Sequence, residues 1–334
     1  MIEVFGRTEA GEEVARVTLE GGGLTANVMT WGAVLQDLRL EGHGPALVLG
    51  LERFEDYPAH SPYFGALAGR CANRIGGAAF ELDGQRYDVD PNFLGKHLLH
   101  GGRAGCGKRN WVLDGADRNS ARLTLRMPDG EMGFPGNLDV AMTVRLLDGG
   151  VLDFEIEAVT DAPTLCNFAH HSYFNLDGGA TILDHDLQID ADGFLAVDAE
   201  LIPTGAVAPV EGTAFDFRAG QAVRRGSDTG LLDHNFCLSR EATALRRVAR
   251  LSSAQSGVAM DIRTTEAGLQ VYDGAKLAVV PDGLDGRRME AHAGIALEPQ
   301  CWPDASNHAD FPQAVLRPGE TYRQHSQFVF TKGA

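Results

Sequence analysis

The sequence predicts an all-β protein, built as an antiparallel sandwich or barrel with few helices. Apolar and polar residues alternate along many segments, turn signals separate those segments, and helical periodicity is scarce. Alternation with a period of two is the pattern of strands that bury one face. The 41 glycines and 14 prolines favour many tight turns over long helices. Residues 1–334 contain no evident linker, low-complexity tract or repeat of fixed period, so we expect one domain.

Three consecutive segments carry the alternation most clearly. They are residues 121–127 (ARLTLRM), 138–146 (LDVAMTVRL) and 152–158 (LDFEIEA). The turn signals PDG and LDGG follow the first two segments. Strands that recur at such short intervals are typical of a sandwich or barrel. One later segment, 240–251 (REATALRRVARL), is compatible with either a helix or a strand.

Charge and composition argue against several classes of protein. The formal net charge of −17 disfavours nucleic acid and anionic membrane surfaces as partners, because like charges repel. Five cysteines without a CxxC pair argue against a disulfide framework or a structural zinc site. We see no secretory signal and no run of about 18 apolar residues that would span a membrane, so we expect a cytoplasmic protein. The usual motifs of nucleotide binding, serine hydrolysis and zincin chemistry are also absent.

The segment NFAHHSYFNL (167–176) contains two adjacent histidines, His170 and His171. Its aromatic and small residues predict a strand, in which neighbouring side chains point to opposite faces. The two histidines therefore cannot share one role, and only one of them can face a given cleft. Sequence parity alone does not decide which one, and a single inward histidine is most often a core residue.

Polar residues in unusual surroundings mark four other segments. They are GRCANRIGG (69–77), LLHGG (98–102), LLDHNFCL (231–238) and ALEPQCWPDASNH (296–308). In the last segment Glu298 follows an apolar, strand-like run, and we expect it at a strand end next to Trp302. An aromatic ring beside carboxylates is a common arrangement for sugar binding. Taken singly, each of these acids is more often a surface or turn residue.

Together these segments resemble the aldose 1-epimerase (galactose mutarotase) family over nearly the whole chain and in the family's order. The matching segments are GRCANRI (69–75), LHGG (99–102), PDGEMGFPGNL (128–138), HSYFNL (171–176), LIPTG (201–205), FDFR (215–218), DHNFCL (233–238), GLQVY (268–272) and LEPQCWPDASNH (297–308). The resemblance implies a large antiparallel β-sandwich, the galactose mutarotase-like supersandwich, with few short helices and an open sugar cleft. It also implies interconversion of the α and β anomers of free aldoses such as glucose, galactose or pentoses, without a cofactor or a metal.

The resemblance further implies a role for individual residues. His171, the histidine of HSYFNL, corresponds to the general acid, and Glu298 corresponds to the general base, which leaves His170 as a structural neighbour. The implied sugar-binding residues are Asn73, Arg74, His100, Asp233 and Gln270. Mutarotation needs a base for the C1 hydroxyl proton and an acid for the ring oxygen. We expect nearby acids to keep His171 charged.

The chain departs from the family pattern at two positions. DGAKL (273–277) stands where the family often has a Thr-Gly-Asn-like turn, and this difference bears on the cleft rim and on substrate preference. FAHH (168–171) replaces the more common Thr-Asn-His. The preferred aldose and the oligomeric state are left open by the sequence.

The sequence suggests four alternative functions. A glycoside hydrolase would use Asp233 and Glu298 as its carboxylate pair, but it leaves His171 without a task. A non-catalytic sugar-binding protein on the same fold would need neither His171 nor Glu298. A metal site of His100, His170 and His171 is disfavoured because adjacent strand residues diverge. A hexose-6-phosphate 1-epimerase-like enzyme would need basic residues to bind phosphate; the candidates are Arg70, Arg74, Arg103, Lys108 and Arg109.

Overall fold

Segments with period-two patterns form antiparallel strands throughout the computed structural model, which describes residues 1–230 and 232–333. Leu231 and Ala334, which belong to the segment 231–238 and to the predicted domain 1–334, lie outside the described residues. The first half of the chain contains β1 (Ile2–Arg7), β2 (Glu13–Gly21), β3 (Leu24–Met29), β4 (Val34–Leu40), α1 (Asp56–His60), β5 (Ala66–Ala68), β6 (Arg74–Ile75), β7 (Ala79–Leu82), β8 (Gln85–Asp88), β9 (Leu98–Leu99), β10 (Val112–Ala116), β11 (Ser120–Met127), β12 (Leu138–Leu147), β13 (Val151–Thr160) and β14 (Thr164–Leu165).

The second half contains β15 (Ala169–His171), β16 (Tyr173–Phe174), β17 (Asp186–Ile189), β18 (Gly193–Val197), β19 (Pro203–Pro209), β20 (Gln221–Ala222), α2 (Arg224–Ser227), β21 (Asp233–Cys237), β22 (Arg246–Ser252), β23 (Val258–Thr264), β24 (Gly268–Tyr272), β25 (Ile295–Gln300), β26 (Val315–Leu316) and β27 (Tyr322–Lys332). Short 3-10 turns occupy Gly76–Ala78, Cys106–Lys108, Glu131–Gly133, Leu284–Gly286 and Ala305–Asn307.

The largest sheet has nine strands in the order β10-β11-β12-β13-β27-β23-β22-β17-β20. The three segments with the clearest alternation lie in β11, β12 and β13, so their prediction as strands is confirmed. Their register aligns the apolar positions: Met142 lies opposite both Leu123 and Ile156, and all three side chains are buried. One face of this sheet is therefore a continuous apolar surface.

A six-stranded sheet (β16-β25-β24-β21-β18-β19) and a four-stranded sheet (β1-β2-β3-β4) complete the sandwich, and the described residues also form four two-stranded sheets. The main buried cluster contains side chains from all three large sheets. At its centre Phe328 of β27 packs against Phe154 of β13 and Phe174 of β16, with ring centroids 6.0 and 5.1 Å apart. The predicted all-β antiparallel sandwich is confirmed.

The ambiguous segment 240–251 ends in a strand, β22, which starts at Arg246. A register shift between Arg247 and Ala249 interrupts the ladder to β23, and both Val248 and Ala249 are buried. A bulge of this kind breaks the simple alternation of buried and exposed positions. This explains why the sequence did not distinguish a strand from a helix here.

Within residues 1–230 and 232–333, no helix is long and apolar enough to cross a membrane. All five cysteines are free thiols, and three of them are buried.

Candidate active site

Three neighbouring strands of the six-stranded sheet carry the polar residues of one face. Glu298 of β25 lies opposite Gln270 of β24, and Asp233 of β21 lies opposite Tyr272. Residues two apart on a strand share a face, so Gln270 and Tyr272 point to the same side. The strand pairing thereby collects two carboxylates, an amide and a phenol at one location.

Strand β15 adds His171 to this group. It pairs with β5, with His171 opposite Ala66, and brings the imidazole Nε2 to 3.5 Å from Glu298 Oε1. His170 points to the other side, where its ring stacks on Phe154 with centroids 4.1 Å apart. The expected divergence of the two histidines is confirmed, and His171 is the one beside the carboxylate.

The short pair β6–β9 supplies three more residues. Arg74 lies opposite Leu99, and Asn73 and His100, which flank this pair, both have left-handed backbone with φ of 61° and 50°. They fix each other: the His100 N–H donates to the Asn73 carbonyl at 2.8 Å, and the Asn73 N–H donates to His100 Nδ1 at 3.2 Å. Gly101 follows with φ of 81°, and a Cβ there would lie 2.0 Å from the Gly69 carbonyl oxygen. Only glycine fits at that position.

Asp233 is held by two donors. Arg74 Nη2 donates to one carboxylate oxygen at 3.0 Å, and Gln270 Nε2 donates to the other at 2.5 Å. Arg74 Nη1 also donates to Asn73 Oδ1 at 3.3 Å. This network orients Asn73, Arg74, Asp233 and Gln270 as one unit. Both Asp233 oxygens are therefore engaged, which makes Asp233 a poor free partner for Glu298 in a hydrolase-type carboxylate pair.

All seven residues named from the sequence line one cavity of about 270 Å³. This size is near the lower end of the roughly 300–1,000 Å³ of small-molecule sites. The other lining residues are Pro62, Tyr63, Phe93, Leu99, Tyr173, Leu201, Tyr272 and Lys276. The structure thus brings the predicted residues together, while their chemical roles stay predictions.

Sequence reasoning missed the four aromatic residues of the cavity. Tyr173 and Tyr272 lie two positions after His171 and Gln270, so strand parity would have found them. Tyr63 and Phe93 come from irregular segments without any periodic signal. Phe93 also packs under the Arg74 guanidinium, whose Cζ lies 5.0 Å from the ring centroid.

Two expectations about the last motif are wrong. Glu298 lies inside β25, which continues to Gln300, rather than at a strand end. Trp302 is not a cavity residue: its ring N–H donates to the Ala267 carbonyl at 2.9 Å, and the ring packs against Phe311. Because the strand continues past Glu298, Trp302 is carried into a separate buried cluster.

A nearby acid favours the charged form of His171, as expected, but burial has the larger effect. Burial lowers the pKa of His171 to about 4, although the Asp233 charge acts in the opposite direction. Burial likewise raises the pKa of Glu298 well above its ordinary value, with Asp233 adding to the rise. For His100 the pKa lies well below the ordinary value, again mainly through burial. Desolvation penalises both the imidazolium and the carboxylate, so a proton shared between His171 and Glu298 resides on Glu298.

The acid and the imidazole each keep a free polar atom. Glu298 Oε2 and His171 Nδ1 are buried and have no hydrogen-bond partner among the described residues. Buried polar atoms without partners are costly, so these two atoms are available to a polar ligand. His170 faces away from His100 and His171, which removes the histidine metal site considered above.

The basic residues proposed for phosphate are mostly engaged elsewhere. Arg70 is fully buried and donates to backbone carbonyls, and Arg103 and Arg109 pair with Asp90 and Glu131. Lys108 lies over the Tyr63 ring, with Nζ 5.1 Å from the centroid. Lys276 lines the cavity and belongs to the DGAKL segment, which differs from the family pattern.

Comparisons with known proteins cover nearly the whole chain. Residues 15–329 match the family model described as Aldose 1-epimerase. Galactose mutarotase of Sus scrofa is 39% identical over 341 residues, covering 98% of this chain and 97% of that protein. Aldose 1-epimerase of Haemophilus influenzae is 34% identical over 328 residues, covering 94% and 95%. Among solved structures, an aldose epimerase homologue from C. elegans has a TM-score of 0.90 at 30% identity, covering 96% of this chain and 100% of that one. Galactose 1-epimerase of Lactobacillus acidophilus has a TM-score of 0.87 at 28% identity, covering 100% and 99%.

Proposed function

The chain belongs to the aldose 1-epimerase family of enzymes, and from that premise we propose that His171 and Glu298 interconvert the α and β anomers of free aldoses by acid/base catalysis. Candidate substrates are glucose, galactose and pentoses. The observation that carries the proposal is the 3.5 Å separation of His171 Nε2 and Glu298 Oε1 among the polar residues lining one cavity.

In the proposed reaction the two groups act on two oxygens of the sugar. The Glu298 carboxylate takes the proton of the C1 hydroxyl while His171 gives a proton to the ring oxygen. The bond between C1 and the ring oxygen breaks, and the open-chain aldehyde forms. Rotation about the C1–C2 bond presents the other face of the aldehyde, and the same two transfers in reverse close the ring. Both protons move only between the sugar and these two side chains, and no oxidation or reduction occurs.

The pair needs a single shared proton for this cycle. Before opening, His171 holds the proton; after opening, Glu298 holds it. Because burial lowers the pKa of His171 and raises that of Glu298, the protein favours the second distribution. In that distribution Glu298 gives its proton to the aldehyde oxygen and His171 takes the proton of the attacking hydroxyl, which is the pairing that ring closure needs. Each such group typically contributes about 10²–10⁴-fold.

The remaining predicted residues are suited to holding the sugar. Asn73, Arg74, His100, Asp233 and Gln270 present donors and acceptors to the cavity, and their mutual hydrogen bonds keep them oriented before substrate arrives. Preorganised polar groups lower the entropic cost of binding. Tyr63, Phe93, Tyr173 and Tyr272 offer ring surfaces to the apolar faces of a sugar.

The first test is polarimetry on freshly dissolved α-D-glucose and α-D-galactose. Wild-type protein is expected to speed the approach to equilibrium rotation. Glu298→Gln and His171→Asn should each lower kcat by about 10²–10⁴-fold, because the amides cannot exchange the proton. Glu298 Oε2 has no hydrogen-bond partner to lose, so we expect Glu298→Gln to keep the fold.

Two control variants distinguish the loss of a catalytic group from the loss of a buried polar side chain. Glu266 is also a buried glutamate, but it does not line this cavity, so Glu266→Gln should retain turnover. His170→Asn should lower stability by about 1–3 kcal/mol with little effect on kcat, because the imidazole is buried against Phe154. Wild-type turnover in Glu298→Gln would show that the base is another group.

A further inference from the structure

A second cavity lies at one end of the strands that carry the active-site residues. Its volume is about 520 Å³. Among the described residues it shares no lining residue with the acid/base cavity, which contains His171 and Glu298. Ala267, which immediately precedes β24, and Cys301, which immediately follows β25, both line the second cavity. Because β24 and β25 pair antiparallel, these two positions lie at the same end of the sheet.

Glu266 lines the second cavity and is buried, with only 5% of the residue exposed. Its backbone is fixed, because its N–H donates to Thr264 Oγ1 at 3.1 Å and its carbonyl accepts from Arg246 Nη2 at 3.3 Å. Its carboxyl group, in contrast, has no hydrogen bond and no ion pair within 4 Å in residues 1–230 and 232–333. Buried polar groups without partners are costly, so this carboxyl group is available to a ligand.

The Arg246 guanidinium does not serve as the counterion of this carboxyl group. Arg246 Nη1 donates to Thr243 Oγ1 and to the Thr264 carbonyl. Arg246 Nη2 donates to Ser239 Oγ and to the Glu266 backbone carbonyl. Burial raises the pKa of Glu266 to about 7, and the charge of Arg246 opposes this rise only in part. A cation in contact with the carboxyl group would therefore stabilise its ionised form.

The charged side chains that line the second cavity leave a negative balance. They are Arg240, Glu241, Glu266, Glu320 and Arg323. Arg323 Nε pairs with Glu157 Oε1 at 3.0 Å, and Glu157 is not a lining residue of this cavity. In the described part of the chain, Arg240 then remains as one cation against three carboxylates. A cleft with this balance attracts a positively charged ligand.

We propose that the second cavity binds a small organic cation, whose primary ammonium group pairs with Glu266 and whose apolar part lies along Pro312, Val315 and Leu316. These three apolar residues line the same cavity as Glu266. An ammonium group offers three N–H donors and one positive charge, which match the free carboxyl group and the negative balance of the cavity. Hydrogen bonds between charged groups are stronger than neutral ones. The site is separate from the acid/base cavity, so the inference does not depend on the proposed function.

Isothermal titration calorimetry tests the site with three ligands that share a phenylethyl body: phenethylamine, 2-phenylethanol and 3-phenylpropanoate. The titrations are made above the pKa of about 7 of Glu266, so that its carboxyl group is mostly ionised. We expect phenethylamine to bind at least about tenfold more tightly than the neutral alcohol. The carboxylate should bind more weakly than the alcohol, because like charges repel. Glu266→Gln removes the negative charge and should abolish the preference for the amine.

Glu298→Gln is the matched control, because Glu298 is also a buried glutamate but lines the acid/base cavity instead. This variant should keep the tighter binding of phenethylamine that Glu266→Gln loses, and circular dichroism checks that both variants are folded. Loss of amine binding in Glu298→Gln but not in Glu266→Gln would place the amine in the acid/base cavity and overturn the inference. Equal affinities of wild type for the amine and the alcohol, or no binding of the amine, would overturn it as well.

Discussion

His170 and His171 are adjacent in sequence and equally buried, yet their surroundings differ completely. His170 stacks on Phe154, and its Nδ1 lies 3.3 Å from the Ser172 hydroxyl. His171 lies between the Tyr63, His100 and Tyr173 rings and faces Glu298. A strand separates neighbouring side chains to opposite faces, so one residue of the pair can serve packing while the other serves chemistry.

The pKa shifts of His171 and Glu298 predict an unusual pH profile. In the proposed mechanism, activity requires one proton on the pair, and a second proton removes the acceptor. Since the pKa of His171 is lowered to about 4, the acid limb of kcat/KM should appear only as the pH drops through about 4. An unperturbed imidazole would lose activity near its ordinary pKa of about 6.5.

Polarimetry from pH 4 to pH 9, corrected for the uncatalysed reaction at each pH, measures this profile. Circular dichroism at each pH shows whether the fold persists. An acid limb centred near 6.5 in folded protein would mean that His171 is an ordinary, easily charged histidine. On the alkaline side activity should fall where Glu298 loses the shared proton, above the ordinary glutamate range because its pKa is raised.

Among the structural elements, the segment between β5 and β6 is anchored by one buried guanidinium. Arg70 donates to the Met127, Pro128, Pro135 and Gly136 carbonyls and to the Thr164 hydroxyl at 2.8 to 3.2 Å. It thereby connects the GRCANRI segment, which carries Asn73 and Arg74, to the PDGEMGFPGNL loop. Arg70 is therefore a structural residue, and both motifs have a packing explanation.

We expect replacement of the Arg70 guanidinium to lower the stability of the fold strongly. Arg70→Met removes the guanidinium donor from four carbonyls, which should lower the free energy of unfolding by at least about 3 kcal/mol. Arg103→Met, which removes an exposed partner of Asp90, should cost less than about 1 kcal/mol. Urea unfolding of both variants measures the difference. Equal costs would mean that the Arg70 network contributes no more than a surface ion pair.

Regular strands could be predicted from the sequence, whereas bulged strands and irregular segments could not. Strands β11 to β13 were predictable because a regular register keeps one face apolar along their length. The strand at 246–252 was not, because a bulge near Val248 breaks its alternation. The seven polar cavity residues were named from family motifs, whereas Tyr63 and Phe93 enter from irregular segments whose path depends on tertiary packing. Trp302 was misassigned because β25 ends at Gln300, and closeness to Glu298 in sequence does not determine where a side chain beyond the strand end points.

At the scale of the whole molecule, a single buried cluster joins the three large sheets. The nine-stranded sheet contributes one apolar face, and the four- and six-stranded sheets contribute the opposing side chains. The cavity strands β21, β24 and β25 belong to the six-stranded sheet, so the active-site face and the core share one support. We therefore propose that the chain is one domain that unfolds as one unit.

Phe328→Ala tests this proposal, because Phe328 contacts Phe154 and Phe174 from the other strands of the core. The truncation should lower the free energy of unfolding by about 3–5 kcal/mol. If the chain is one cooperative unit, the unfolding transitions seen by far-UV circular dichroism and by tryptophan fluorescence have the same midpoint. Trp111 and Trp302 lie in different buried clusters, so the fluorescence reports on two parts of the core. Val112→Ala, at an exposed position of the same sheet, should change stability by less than about 0.5 kcal/mol. Two separated transitions in Phe328→Ala would mean that the sheets fold as independent units and that the cavity does not depend on the nine-stranded sheet.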